Sequence, residues 1–157
     1  MLFPGLRLAY LVVPAPLIER FRESANHLCG PGSILPQATV ADFMDQGHFA
    51  RHLRRMRSLY AARRGYVIDA LLQALGSRLY IQPQAGGIHV LAKLVNREND
   101  KSLAAAAQSS GLAIQALSQW QVRRTSHGGL LMGFANVTEP EMAETLLGRL
   151  IAAIQSQ

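Results

Sequence analysis

Apolar residues fill both alternating sets of positions in the opening stretch of the chain. They run from Leu6 to Val13, and Arg7 is the one charge among them. A strand that is buried on both faces has this pattern, so we predict a strand that ends at Pro14. Each unpaired buried backbone group in such a strand would cost about 1–3 kcal/mol. The strand therefore requires neighbouring strands on both edges, and the rest of the chain contains few obvious candidates for them.

Three helices are predicted next, from apolar residues at three- and four-residue spacing. The first follows Pro16 and extends to about residue 26, and the second opens at Leu35. The third and longest covers His48–Leu75, with Gly65 as the place for a bend. Gly76 comes directly after it and is the expected signal for its end.

Two pairs of strands and a helix between them are predicted in the part that follows. Residues 79–81 and 88–94 flank a turn and form the first pair. Asp100 is the predicted N-cap of a helix that runs to about Ser109. The second pair covers 112–122 and 130–135, with a turn at Gly128 and Gly129.

The final helix is predicted from a capping box, in which Glu141 follows Thr138 by three residues. The residues that mark its buried face are Met142, Leu146, Leu150 and Ile154. From residue 48 onward the order is helix, strand, strand, helix, strand, strand, helix. This order predicts an α+β fold in which helices cover a small, mainly antiparallel sheet.

Basic residues are concentrated in the long helix. The net charge is +6, and fourteen of the sixteen basic residues are arginine. Six of these lie on the predicted helix: Arg51, Arg54, Arg55, Arg57, Arg63 and Arg64. Three interpretations stay open, namely contacts with a second subunit or lobe, a solvated face, and direct DNA binding. No recognisable DNA-binding motif surrounds the helix.

Composition limits the class of protein further. A chain of 157 residues with 49% hydrophobic content suits one ordinary domain or one lobe of a larger one. Cys29 is the only cysteine, which excludes an internal disulfide. No apolar run reaches the about 20 residues that span a bilayer, and the N-terminus lacks the pattern of a signal peptide. We expect a cytoplasmic protein without membrane association.

The histidines do not predict a metal centre or a catalytic base. His48 and His52 have the four-residue spacing of zinc ligands on a helix, but no third ligand motif accompanies them and arginines surround them. His89 lies in a predicted strand, where a packed or hydrogen-bonded histidine is the usual role. We therefore assign no metal ligand and no catalytic residue.

A family resemblance begins at the first residues. The sequence from Leu2 to Pro14 resembles the segment that follows the cofactor-binding lysine in fold-type I pyridoxal-phosphate (PLP) aminotransferases. It is most similar to the aminotransferase-like half of MocR/GabR-type transcriptional regulators of the GntR superfamily, where a Ser-Lys pair and one variable residue precede the motif. Met1 stands in the place of the variable residue. The resemblance therefore implies that the Schiff-base lysine comes directly before this chain.

Three further blocks extend the resemblance over essentially the whole chain. Residues 41–64 are similar to the characteristic helix of these regulators, 86–91 to their Gly-Gly-Leu-His-Leu-Leu strand, and 130–136 to their Leu-Leu-Leu-Gly-Phe-Ala-Asn strand. The resemblance implies a fragment of a fold-type I PLP transferase. In it, residues 1–47 are a remnant of the large PLP-binding lobe, 48–76 form the long inter-lobe helix, and 77–157 form the small C-terminal lobe.

Arg7 is the residue to which the resemblance assigns a cofactor contact. The family places a phosphate-binding arginine at this position, and a guanidinium binds a phosphate dianion through bidentate, charge-assisted hydrogen bonds. Without the resemblance, a structural ion pair would be the alternative for one arginine in an apolar strand.

Substrate binding is less well specified. Many fold-type I aminotransferases use an arginine near the last strand of the small lobe to bind the substrate carboxylate, whereas this chain has glycines and leucines there. Arg123 and Arg124, in the preceding segment, are the candidates that remain. Lys93 and Lys101 are the only lysines, and neither context resembles the lysine motif.

The resemblance leads to one main hypothesis of function. The chain is interpreted as the C-terminal part of a PLP-binding effector domain of a transcriptional regulator. The parent would bind PLP and a small amino compound, form homo-oligomers, and contact DNA only through an N-terminal domain absent here. This chain, without the Schiff-base lysine, is expected to bind no PLP and to be inactive alone. The alternative is a stand-alone α+β binding module for a protein partner or a nucleic acid.

Overall fold

The fold was analysed in a computed structural model. It describes residues 5, 8–30, 34–84, 86–96, 98–121 and 128–155. The chain divides into two compact units, Met1–Arg54 and Arg55–Gln157. None of the helices in these ranges combines the length and the apolar character that a bilayer crossing needs.

The first unit contains helices but no strand in its described residues. A single turn of 3-10 helix at Ala15–Leu17 leads into α1 (Ile18–Cys29), and α2 (Ile34–Asp45) follows. Residues 8–14 have neither helical nor strand hydrogen bonding, and the side chains of Tyr10 and Val12 are each 86% exposed. The predicted strand over residues 6–13 is therefore wrong for its described part. A strand exists only by pairing, and no described strand pairs with this segment.

The longest element is α3 (His48–Leu75), which is continuous through Gly65 as one helix of 28 residues. Its predicted bounds are confirmed. The division between the two units falls within it. Ala70, Leu71 and Leu75, near its C-terminal end, are buried in the core of the second unit.

The second unit is built on one antiparallel sheet of four strands. The strands are β1 (Leu79–Ile81), β2 (His89–Leu94), β3 (Ile114–Ala116) and β4 (Gly129–Gly133), in the order β1-β2-β4-β3. All three pairings are antiparallel, with Tyr80 opposite Lys93, Leu91 opposite Leu131, and Leu131 opposite Gln115. Two helices complete the unit, α4 (Asp100–Ser109) and α5 (Pro140–Gln155).

Helices cover one face of this sheet, as the α+β prediction requires. Alternate strand residues are buried in β2 and β3, including Val90, Ala92 and Ala116, each 0% exposed. They form one hydrophobic cluster with buried residues of α3, α4 and α5. The residues of the other face are exposed or half-buried, except Gly129, which is buried. Because strand side chains alternate between faces, the register separates a core face from an open face.

Several predicted details are corrected by the structure. The N-cap of α4 is Asn99, whose Oδ1 accepts hydrogen bonds from the backbone N–H groups of Lys101 and Ser102. Within the described residues 112–121 of the predicted extended segment 112–122, only Ile114–Ala116 is a strand, and one turn of 3-10 helix follows it. The strand predicted at 130–135 already begins at Gly129, which was predicted as part of a turn.

The buried face of α5 is also rotated from the predicted one. Its buried residues are Ala143, Leu147, Leu150 and Ala153. Of the four predicted residues only Leu150 is buried, Met142 is exposed, and Leu146 and Ile154 are half-buried at the margin of the core. α5 packs against α4, and because two residues of its buried face are alanines, apolar periodicity that counts only large residues misses this face.

Candidate functional site

The three residues that were predicted to bind cofactor or substrate lie outside the described residues. They are Arg7, Arg123 and Arg124. The structure does describe residues on both sides of the segment 122–127. Ser118 lies before this segment and Gly129 after it, and both donate hydrogen bonds to the same carboxylate.

That carboxylate belongs to Asp100, which is 4% exposed and is the one buried charged residue of the described part. Its Oδ2 accepts hydrogen bonds from the backbone N–H of Ser118 at 2.9 Å and of Gly129 at 3.0 Å. Its Oδ1 accepts a third from Oγ of Ser118 at 2.7 Å. Sequence reasoning placed Asp100 at the end of a helix as a cap, whereas its side chain joins α4 to β4 and to the residues after β3.

The electrostatic state of Asp100 follows from these contacts. Burial by itself would raise the pKa of its carboxyl, because it disfavours the charged form. The hydrogen bonds from the Ser118 side chain and from the backbone N–H groups of Ser118, Gly129 and Lys101 stabilise the carboxylate and outweigh burial, so the pKa is lowered. Asp100 is therefore ionised and anchors both sides of residues 122–127.

Gly128 and Gly129 are the sequence signal from which this close packing around Asp100 could have been predicted. A Cβ atom on Gly128 would lie 2.8 Å from the carboxyl carbon of Asp100, and one on Gly129 would lie 2.9 Å from the carbonyl oxygen of Ala92. Both positions thus need glycine because the chain passes too close to its neighbours for a side chain. The pair was interpreted as a turn, and its role in packing against a carboxylate was missed.

The open face of the sheet carries one lysine and the exposed His89. Lys93 is half-buried and lies opposite Tyr80 on β1 and Gly129 on β4. His89 lies opposite Gly133. Lys101 is exposed in the first turn of α4. The two lysines of the chain therefore lie on separate elements, Lys93 on β2 and Lys101 on α4.

His48, the first histidine of the pair on α3, contacts two residues that precede it in the sequence. Nε2 of His48 is 3.1 Å from Oε1 of Gln46, and its ring lies 5.4 Å from that of Phe43. Within the described ranges no group of three or more His, Cys, Asp or Glu side chains could hold a metal ion.

A cavity of about 400 Å³ lies in the second unit between α3, β4 and α5. Leu71, Met132 and Leu147 are among the buried residues that line it, and Asn136 is the only polar side chain among its described lining residues. None of the described residues that line it is charged. A phosphate dianion requires cations or several N–H donors. The cavity therefore does not fit a PLP phosphate, and we derive no chemical step through the cofactor.

Comparison with protein families gives an assignment for nearly the whole chain. A family model described as aminotransferase class I and II matches residues 1–150.

Three curated relatives are transcriptional regulators by name. The probable rhizopine catabolism regulatory protein MocR of Rhizobium meliloti is 34% identical over 143 residues, which are 91% of this chain and 29% of that protein. The HTH-type regulator YhdI of Bacillus subtilis is 27% identical over 90% of this chain and 30% of its own length. The pyridoxine biosynthesis regulator PdxR of Corynebacterium glutamicum is 28% identical over 87% and 29%. The chain thus spans less than a third of the length of each of these relatives.

Solved aminotransferases share the fold. The α-aminoadipate aminotransferase LysN of Thermus thermophilus superposes with a TM-score of 0.82 at 20% identity, over 98% of this chain and 39% of that protein. The kynurenine aminotransferase of Pyrococcus horikoshii gives a TM-score of 0.84 at 18% identity, over 98% and 38%. The fold is thus that of a part of a fold-type I aminotransferase, as the resemblance implied. With its family model matched from residue 1 to residue 150, the chain belongs to the aminotransferase class I and II family.

Proposed function

We propose that this chain is the C-terminal part of a PLP-binding, aminotransferase-like effector domain in a transcriptional regulator. The observation that carries the proposal is the match of about nine tenths of the chain to relatives named as regulators, together with the aminotransferase family model over residues 1–150. LysN, which shares the fold, was solved in complex with N-(5'-phosphopyridoxyl)-L-leucine. When bound, PLP supplies an electron sink for chemistry at the α-carbon of an amino compound.

Arg7 is proposed to bind the phosphate of PLP in the parent protein. Its guanidinium would supply a fixed fork of donors, which suits a dianion better than the point charge of a lysine. Arg123 and Arg124 are proposed to reach the carboxylate of an amino compound. The support for the second assignment is the anchoring of Ser118 and Gly129 on Asp100, because it fixes both sides of the segment that holds the two arginines.

The parent is further proposed to be a homo-oligomer that contacts its DNA target through a separate N-terminal domain. The names of the curated relatives, which include HTH-type regulators, support a DNA-binding domain outside the matched region. In this proposal the chain contributes a phosphate-binding residue and no lysine for covalent attachment.

The proposal that this chain carries no cofactor-binding lysine leads to a direct prediction. When it is incubated with PLP and reduced with borohydride, we expect only weak, non-saturating labelling of Lys93 and Lys101. The reason is that Lys101 is exposed at the start of α4 and Lys93 lies on the open face of the sheet, so neither is held in a cofactor cavity. Peptide mass spectrometry after reduction measures the labelling of each lysine.

The control for this experiment is the same protein unfolded in urea, in which every lysine reacts as a free amine. We expect neither lysine to be labelled more strongly in the folded protein than in the unfolded protein. Saturating labelling of one lysine per folded chain, abolished by Lys93→Arg or by Lys101→Arg, would contradict the proposal. It would show that the chain carries its own attachment site.

A further inference from the structure

The cavity between α3, β4 and α5 is larger than the gaps that side-chain packing ordinarily leaves. Its volume is about 400 Å³, whereas protein interiors contain few voids larger than a water molecule. A dry apolar cavity of about 150 Å³ already holds benzene. Pockets that bind small molecules have volumes of about 300–1,000 Å³. The cavity therefore has the size of a ligand-binding site.

The wall of the cavity is apolar on each of these three elements. α3 contributes Val67 and Leu71, β4 contributes Met132, and α5 contributes Leu147. The one polar side chain among the described lining residues is the neutral amide of Asn136, an exposed residue. A charged group inside such a wall would lose its hydration without gaining a partner, at a high cost in free energy. Only the uncharged part of a ligand can therefore occupy the interior.

A cation lies at the edge of this cavity. Arg149 is an exposed residue of α5, directly before the lining residue Leu150. Its Nη2 donates a hydrogen bond to the carbonyl oxygen of Ser110, directly after α4. The next residue, Gly111, lines the cavity, and a Cβ atom on it would lie 2.9 Å from the same Nη2. The guanidinium group is therefore held beside the wall of the cavity and remains accessible to solvent.

Arg149 retains the capacity to bind an anion. A guanidinium has five N–H donors, and among the described residues Ser110 is the one acceptor of its hydrogen bonds. Within the same residues no carboxylate forms an ion pair with Arg149, whereas Arg78 pairs with Glu98 at 2.8 Å. The remaining donors of Arg149 can form charge-assisted hydrogen bonds to a carboxylate that stays in contact with water.

We propose that this cavity binds a small monocarboxylic acid with an apolar body of about eight to ten carbon atoms. The apolar body fills the uncharged interior, and the carboxylate pairs with Arg149 at the edge. The size follows from the volume, which is more than twice that of the cavity that holds benzene. The single charge follows from the one cation, because a second anionic group would lie against the apolar wall without a partner.

The proposal does not depend on the proposed function, because no residue that it uses is assigned to PLP or to an amino compound. It is tested by isothermal titration calorimetry of the whole chain with octanoate. We expect saturable binding of one octanoate per chain, with a negative heat-capacity change from the burial of apolar surface. Butanoate, which is four methylene groups shorter, should bind on the order of a hundredfold more weakly, since each buried methylene changes the affinity about fourfold.

The variant Arg149→Gln tests the role of the cation. It should weaken octanoate binding about fivefold, which is the range of an exposed ion pair. The affinity for 1-octanol, which carries no charge, should change by less than about twofold, because the cavity itself is intact. Arg149→Lys should retain most of the octanoate affinity, since the charge is kept.

The matched control is Arg57→Gln, which removes the same charge from an exposed position on α3, ten residues before the lining residue Val67. It should change the affinity for octanoate by less than about twofold.

The variant Val67→Phe tests the location of the apolar body. Val67 lines the cavity and is half-buried, so a larger side chain at this position can extend into the empty volume. Octanoate and 1-octanol should both bind at least about tenfold more weakly, because two or more methylene groups lose their place. Circular dichroism and urea denaturation verify that each variant is folded.

Four results would overturn the proposal. The first is no saturable binding of octanoate by the unmodified chain. The second is unchanged octanoate affinity in Arg149→Gln, which would make the cavity a site for neutral apolar molecules. The third is unchanged octanoate affinity in folded Val67→Phe, which would place the ligand elsewhere. The fourth is self-association of the chain in size-exclusion chromatography that Val67→Phe abolishes and octanoate does not affect, because a second copy of the chain would then occupy the cavity.

Discussion

Replacement of Asp100 by alanine is expected to lower the free energy of unfolding by about 2–5 kcal/mol. The carboxylate is buried and accepts three hydrogen bonds, two from backbone N–H groups and one from Oγ of Ser118. Alanine would leave the two N–H groups of Ser118 and Gly129 without an acceptor, at a cost of about 1–3 kcal/mol each. Urea denaturation followed by circular dichroism measures the change.

Asp100→Asn is the informative companion variant. Its amide oxygen can accept from both backbone N–H groups, and its NH₂ group can face Oγ of Ser118, which can turn from donor to acceptor. We therefore expect a smaller loss, about 1–2 kcal/mol, from the weaker neutral hydrogen bonds. Equal stability of the alanine variant and the unmodified chain would contradict the anchoring role of Asp100.

The same residue predicts how stability changes in acid. Because the folded chain holds the pKa of Asp100 below its unfolded value, the carboxylate stabilises the fold fully above the unfolded pKa of about 3.9. This contribution is lost as the pH falls through the lower, folded-state pKa. Asp100→Asn removes the titrating group, so the difference in unfolding free energy between the two proteins should shrink below about pH 4. A difference that grows in acid would reverse the assigned direction.

Replacement of Phe134 by alanine is expected to cost about 3–5 kcal/mol of unfolding free energy. The side chain is 1% exposed and is the largest fully buried one in the core. Its ring lies 6.2 Å from that of Tyr60 at an interplanar angle of 74°, an edge-to-face pair that connects the end of β4 to α3. Alanine would remove this contact and leave a cavity. The loss is measured by urea denaturation.

Two variants control this prediction. Phe134→Leu retains most of the apolar volume and should cost about 1–2 kcal/mol. Trp120→Ala removes a larger aromatic side chain that is 67% exposed, and should change the stability by no more than about 0.5 kcal/mol. Similar losses for the alanine variants of Phe134 and Trp120 would contradict the location of the core.

Much of the fold could be predicted because its elements have strong local signals. The apolar periodicity of α3 extends over 28 residues, so its bounds were predicted correctly. The pairing of β1 with β2 followed from two apolar runs around a turn rich in glycine. In each case the residues near one another in sequence determine the element.

The errors arose where distant parts of the chain decide the outcome. Asp100 was assigned as a cap because caps are local, but its carboxylate bonds to Ser118 and Gly129, eighteen and twenty-nine residues away. The buried face of α5 includes Ala143 and Ala153, and it depends on packing against α4, an element distant in sequence. The opening strand has the composition of a buried strand and no described partner to pair with. Arg7, Arg123 and Arg124 came from the family resemblance, and their roles stay predictions.

The central claim is that this sequence follows the cofactor lysine of a PLP-binding effector domain. The most direct measurement is to sequence the genomic DNA upstream of the Met1 codon and translate it in the same frame. We predict codons for Ser-Lys directly before Met1, in a reading frame that continues upstream into the rest of an aminotransferase-like domain. An in-frame stop codon close upstream, with no Ser-Lys pair between it and Met1, would contradict the claim.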